Sequence, residues 1–224
     1  MQSGLFLGIQ HTIRIVREPG TSSRLTGPFW KDYAESVGGL GGWGDGDSFA
    51  INYIAHPLQG AITGHIWIQN DLKYRDLRFN ESKQYWTGRW RAMGWAALMS
   101  TQFEIGPISE ASLGNVGQWN KDCTKKNCGM GWTDIVVTPV FGAATMVGED
   151  ALDYYVIRKL EKKTSNRFLQ AMIRGIMNPS RSVANAMRFK YPWHRDDRPM
   201  PWARPEIVVR RPGATSTSGS ATNR

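Results

Sequence analysis

Cysteine is nearly absent: the 224-residue chain holds two, Cys123 and Cys128, in Cys-Thr-Lys-Lys-Asn-Cys-Gly. No second Cys or His pair at ligand spacing accompanies them, which excludes a zinc finger or ribbon. The pair suits a small loop disulfide, a bond that persists in an oxidising compartment such as the periplasm. Two free thiols are the other reading. His-Glu-x-x-His and Gly-x-Ser-x-Gly are also missing, so the common zinc-protease and serine-hydrolase signatures are excluded. The glycine-rich run Gly38 to Gly46 looks like a phosphate cradle, but no Lys-Ser/Thr follows it, so it does not fit a P-loop. Asp45 and Asp47, at the end of that run, read instead as acidic caps of the next helix. Residues 1–10 lack the basic start and apolar run of a secretory leader. No internal repeat stands out.

What is abundant is tryptophan and glycine, at 10 and 24 residues. Tryptophan is favoured where a side chain is dry at one end and wet at the other, as at a membrane interface. Glycine closes turns or lets helices approach closely. With 41% hydrophobic and 21% charged residues, the chain is globular rather than disordered, and its length suits one core. The net charge of +9 is one-sided. Residues 1–120 carry 10 Lys/Arg against 10 Asp/Glu, and residues 121–224 carry 18 against 9. Such asymmetry points to an anionic partner for the C-terminal half, a membrane surface or nucleic acid. The run Arg188-Phe-Lys-Tyr-Pro-Trp-His-Arg195 interleaves basic and aromatic residues as a base-stacking surface does, yet no nucleic-acid motif surrounds it.

Three long apolar segments dominate, at residues 48–70, 86–108 and 132–150. Each carries polar groups that a greasy surface excludes unless they are partnered, because an unpaired buried polar group costs roughly 1–3 kcal/mol. The first holds Asn52 and His56 one helical turn apart, then Pro57 and the Gly60-x-x-x-Gly64 pair. The second holds Ser100 and Glu104, followed by Glu110. The third holds Asp134, Thr138, Glu149 and Asp150, with Pro139 placed to interrupt its helical ladder. Segments 48–70 and 132–148 are long and uncharged enough to approach a bilayer span, and monotopic association fits equally. Amphipathic helices are expected at residues 5–16, with Leu5, Ile9, Ile13 and Val16 on one face, and at 165–177, with Phe168, Met172, Ile173 and Ile176 inward. His11 reads as a surface group, and His65 and His194 as an interface and a tail residue.

The economical expectation is that the three segments pack together and their polar groups meet. His56, Glu104, Glu110 and Asp134 are then candidates for acid–base chemistry or metal binding. Asn52, Ser100, Thr138, Glu149 and Asp150 complete a buried polar cluster. A purely structural network has the same composition.

The elements Asn52-x3-His56-Pro57-x2-Gly60, Glu104 with Pro107-x-Ser109-Glu110, and Asp134-x3-Thr138-Pro139 with Gly148-Glu149 resemble an uncharacterised family of bacterial cell-envelope proteins. The resemblance covers roughly residues 48–160. It implies a helical envelope protein and no established activity, and the missing leader departs from the pattern.

The expected architecture is mainly α: packed helices with Pro-kinked, Gly-rich apolar segments and long loops. One helical domain is expected over 1–190, and a basic, Pro/Arg-rich extended tail over 191–224, disordered from about 213. The expected function is a membrane-associated envelope protein whose polar cluster joins its helices and whose basic half contacts anionic headgroups. A hydrolase of lipid or cell wall centred on His56 is the alternative, and a nucleic-acid-binding module a weaker one. The sequence leaves the cofactor and any metal unknown.

Overall fold

The computed structural model describes residues 1–17, 21, 28–80, 82–117 and 130–200; Cys123 and Cys128 lie outside them, as do residues 201–224. The protein is mainly α, and no strand occurs among the described residues. Its elements are α1 (Gln2–Arg17), α2 (Phe29–Gly38), α3 (His56–Asn70), α4 (Lys83–Ile105), α5 (Trp132–Leu152), α6 (Arg158–Lys163), α7 (Arg167–Met177) and α8 (Pro179–Met187). A π-helical turn, Ile51–Ala55, leads into α3, and another, Asp153–Ile157, joins α5 to α6.

Helices start where their exposed N–H groups find acceptors. The Ser82 hydroxyl accepts from Tyr85 N (3.2 Å) at α4, and the Asn166 side chain from Leu169 N (3.1 Å) at α7. Pro179 opens α8, where a missing N–H costs nothing. The first N–H groups of α5 are taken by the glycine-rich loop instead: Trp132 N donates to Gly42 O (3.2 Å) and Thr133 N to Trp43 O (3.0 Å). The loop is docked there, with Gly42 and Gly46 at positive φ.

The core is a three-helix unit. α3 and α5 run parallel: His56 meets Thr138, Gly60 meets Thr138 and Gly142, and Gly64 meets Met146. α4 runs antiparallel to both, with Ser100 on Asp134 and Arg89 on Asp150. At the crossing, a Cβ on Gly60 would overlap the Thr138 carbonyl oxygen, and one on Gly142 would lie 2.7 Å from the Gly60 Cα. Only hydrogen at both positions lets the backbones touch. Pro57 sits in the first turn of α3, and Pro139 lies inside α5 without ending it. The ladder loses one bond at Pro139, which has no N–H to donate, but the helix runs on through it. Ala61, Ile68, Tyr74, Ala92 and Met146 form the apolar layer beside the crossing.

Two sequence expectations reverse. α7 is inside-out: Phe168 is 73% exposed and Ile176 67%, Leu169 and Met172 are exposed as well, and Ala171 and Arg174 face inward. Arg174 turns in because Glu161 receives its guanidinium at 2.6 and 3.0 Å, a buried pair that would be costly to separate. The helical body also continues past 190. Asn185 Nδ2 donates to the carbonyls of Pro192 (2.9 Å) and His194 (3.0 Å), Arg195 is 2% exposed, and Arg198 grips Asp153 (2.6 Å) and Glu161 (3.0 Å). Residues 191–200 are packed on the body, not an extended tail.

Gly60→Ala should destabilise the fold by at least about 1–3 kcal/mol through overpacking, although alanine is the better helix former. Gly148→Ala, on α5 with nothing within 4 Å of its Cβ, should be neutral or stabilising by up to about 1 kcal/mol. Denaturant unfolding of the two variants checks the pair.

Candidate functional site

The polar groups of the core segregate into two layers. Asp134 and Glu149 stand fifteen residues apart on α5, which places the layers about 22 Å from each other.

At the end of the bundle carrying the glycine-rich loop, α3 contributes His56, α4 Glu104 and α5 Asp134 and Thr138. Ligand atoms of His56, Glu104 and Asp134 all lie within 4.8 Å of one another, and all three residues are buried. His56 Nε2 is 3.3 Å from Asp134 Oδ1, and its Nδ1 is 3.1 Å from the Thr138 hydroxyl. Ser100 donates to the Asp134 carbonyl at 3.0 Å, tying α4 to α5 at this level. The docked loop adds Asp45, whose Oδ1 accepts from Asn52 Nδ2 (2.9 Å) and Asp47 N (2.9 Å) and whose carboxyl meets that of Asp134.

Burial and crowding of negative charge set the protonation here. Burial lifts the Asp134 carboxyl well above the ordinary carboxylate range, and Glu104 and Asp45 push it further. Burial likewise raises Glu104, against the pull of Arg14 and with Asp45 and Asp47 adding to the rise. Burial would raise Asp45 too, but its bonds from Asp134 and Asn52 reverse the shift and hold it low. Burial pushes His56 down to about 4. At neutral pH an uncharged imidazole thus faces protonated carboxyls, a donor–acceptor set able to move a proton.

The second layer joins α3, α4, α5 and α8. His65 Nε2 is 3.3 Å from Glu149, whose carboxylate accepts Ser180 N (2.9 Å) and Arg181 N (3.1 Å) at the start of α8. Asp150 takes Arg89 (2.6 and 2.9 Å), the Tyr85 hydroxyl (2.9 Å) and Arg181. The carboxylates of this layer find their donors within the protein, so it is a clasp holding the α8 region to the bundle.

The expected cluster is therefore divided. His56, Glu104 and Asp134 come together with Asn52, Ser100 and Thr138; Glu149 and Asp150 belong to the second layer. Glu110 joins neither layer: it pairs with Arg14. His65 and His194 do have carboxylates, Glu149 and Asp196 (3.3 Å). His11 is buried, stacked on Phe103 (4.8 Å between ring centroids) and 3.1 Å from the Ile108 carbonyl. Asp45 was missed as a site residue because no spacing ties a loop aspartate to a helix that begins almost ninety residues later. No protein-family model, curated protein or solved structure matches the chain.

Burial lowers His11, His56 and His65 alike. The unfolded chain therefore binds protons more readily than the fold between about pH 6.5 and the depressed folded values. Their contribution to stability is full above about pH 6.5 and is lost as the pH falls below it. Below about pH 4, carboxylates held low by arginines, such as Asp150 and Asp153, add to the loss. Glu104 and Asp134, raised in the fold, act with the opposite sign, their contribution fading as the pH rises through neutrality. Thermal midpoints should therefore peak near neutral pH and drop toward pH 4, and His65→Gln should flatten the acid-side drop. Arg89→Met should cost about 3 kcal/mol or more by stripping a buried carboxylate of a charge partner, measured by denaturant unfolding.

Proposed function

We propose that the protein is a membrane-associated component of the bacterial cell envelope that rests on an anionic bilayer through its basic end and its apolar outer faces. The observation that carries this reading is the inside-out α7. A water-facing helix would not present Phe168, Leu169, Met172 and Ile176 together. Exposed Lys159, Lys162, Lys163 and Arg167 flank it, placed for lipid phosphates. Beside them, an open groove of about 690 Å³ is lined by Tyr154, Tyr155, Arg78, Arg158 and Lys162 among others. α1 repeats the pattern, with Leu5, Ile9, Ile13 and Val16 outward. The rod Trp132–Lys163 is, among the described residues, the one helix long and apolar enough to cross a membrane. Its Asp134, Glu149 and Asp150 are covered by neighbouring helices, while Val136, Val140 and Phe141 are exposed. The envelope assignment rests on the sequence resemblance.

A hydrolase of lipid or cell-wall substrates is the second reading, favoured by the 3.3 Å approach of His56 to Asp134 beside Glu104. There His56 accepts the proton from water and the carboxyls orient or neutralise.

Vesicle flotation tests the first reading. The full chain should float with phosphatidylglycerol vesicles, bind phosphatidylcholine vesicles more weakly, and lose the difference in high salt. A Phe168→Glu/Ile176→Glu double variant should bind at least about 10-fold more weakly, since each exposed apolar anchor contributes more than about 1 kcal/mol. A folded chain that stays off both vesicle types at low salt contradicts the proposal.

A further inference from the structure

We propose that His56, Glu104 and Asp134, joined by Asp45 from the glycine-rich loop, bind one divalent transition-metal cation of the zinc–manganese class. The donors come from three helices and a docked loop, and the helices cannot slide because Gly60 and Gly142 lock their crossing. Donors about 2.0–2.2 Å from a single ion stand up to about 4.4 Å apart. The 4.8 Å envelope of the three residues therefore closes on an ion with small side-chain rotations.

Independent of that spacing, buried oxygens of Asp134 and of the Asn52–Asp45 pair beside it lack a well-directed protein donor. They are Asp134 Oδ1, on a residue 5% exposed, Asn52 Oδ1, on a residue 6% exposed, and Asp45 Oδ2. Buried acceptors are almost always satisfied. Several of them around one imidazole form an oxygen-rich pocket that a cation completes.

The supporting residues match a metal site as well. The Thr138 hydroxyl holds His56 Nδ1 and so turns Nε2 toward the carboxyls, and Asn52 Nδ2 with Asp47 N fixes Asp45. The carboxyls of Glu104 and Asp134 crowd one imidazole, and a divalent ion would bind them in their deprotonated form, releasing protons as it enters. One imidazole among hard oxygens, with no sulfur, selects the zinc–manganese class over soft-metal chemistry. The second layer, equally rich in acids, is not such a site because Arg89, Arg181, Ser180 and Tyr85 occupy its oxygens.

The inference does not depend on bilayer binding; it deepens the hydrolase reading by naming the ion that would activate water. The test reads metal rather than lipid or turnover. The full-length chain in detergent is stripped with a chelator and titrated with zinc chloride. One equivalent should bind and raise the thermal midpoint. Glu104→Gln and Asp134→Asn should bind at least about 10-fold more weakly, and Glu110→Gln as tightly as wild type. Zinc X-ray absorption on the wild type, which needs no variant to fold, should fit one imidazole among oxygens. The proposal is overturned if the folded wild type takes up neither zinc nor manganese. Undiminished uptake by folded Asp134→Asn, or sulfur around the zinc, which would place the ion at Cys123 and Cys128, overturns it equally.

Discussion

The backbone contact between α3 and α5 is the constraint on which the rest depends. Gly60 and Gly142 bring the two parallel helices together until main chain meets main chain. That closeness sets the register of everything above and below it. One turn toward the loop end, His56 comes level with Asp134 and Thr138; toward the other end, His65 comes level with Glu149. A larger residue at the crossing would separate both polar layers together, because side-chain hydrogen bonds do not survive a displacement of an ångström or more.

The two layers use acidic groups in opposite ways. In the layer at α8 each carboxylate is answered by guanidinium, hydroxyl or backbone N–H, and burial of charge is offset by pairing. In the layer at the glycine-rich loop the carboxyls face one another and a neutral imidazole, and charge is suppressed by protons instead. Carboxylates answered in this way can hold a fold together. An unsaturated network retains the capacity to accept something, which the arginine-rich layer lacks.

The outer surface follows a similar division. Arg174, Arg195 and Arg198 turn inward to pair with Glu161 and Asp153, and the apolar faces of α1 and α7 turn outward. The inversion leaves the Arg174–Glu161 pair, joined by Arg198, inside and Phe168 and Ile176 outside. The molecule is then left with a basic end and an apolar girdle, which a bilayer can cover and water covers poorly.

Helical content was legible in the sequence because long apolar segments, caps and Gly-x-x-x-Gly spacing are local properties. So was the convergence of His56, Glu104 and Asp134, because uncompensated polar groups on three greasy helices have few places to go. The sequence by itself determined which segments would pack and which residues needed partners. It did not determine the partners. Asp45 joined the site through a loop whose docking leaves no periodic trace, Glu110 was diverted by Arg14, and His65 was claimed by Glu149. The orientation of α7 and the packing of residues 191–200 were decided by arginine pairs that close only across 13 to 45 residues. Such pairings depend on where folded backbones lie, and only the tertiary structure supplies that.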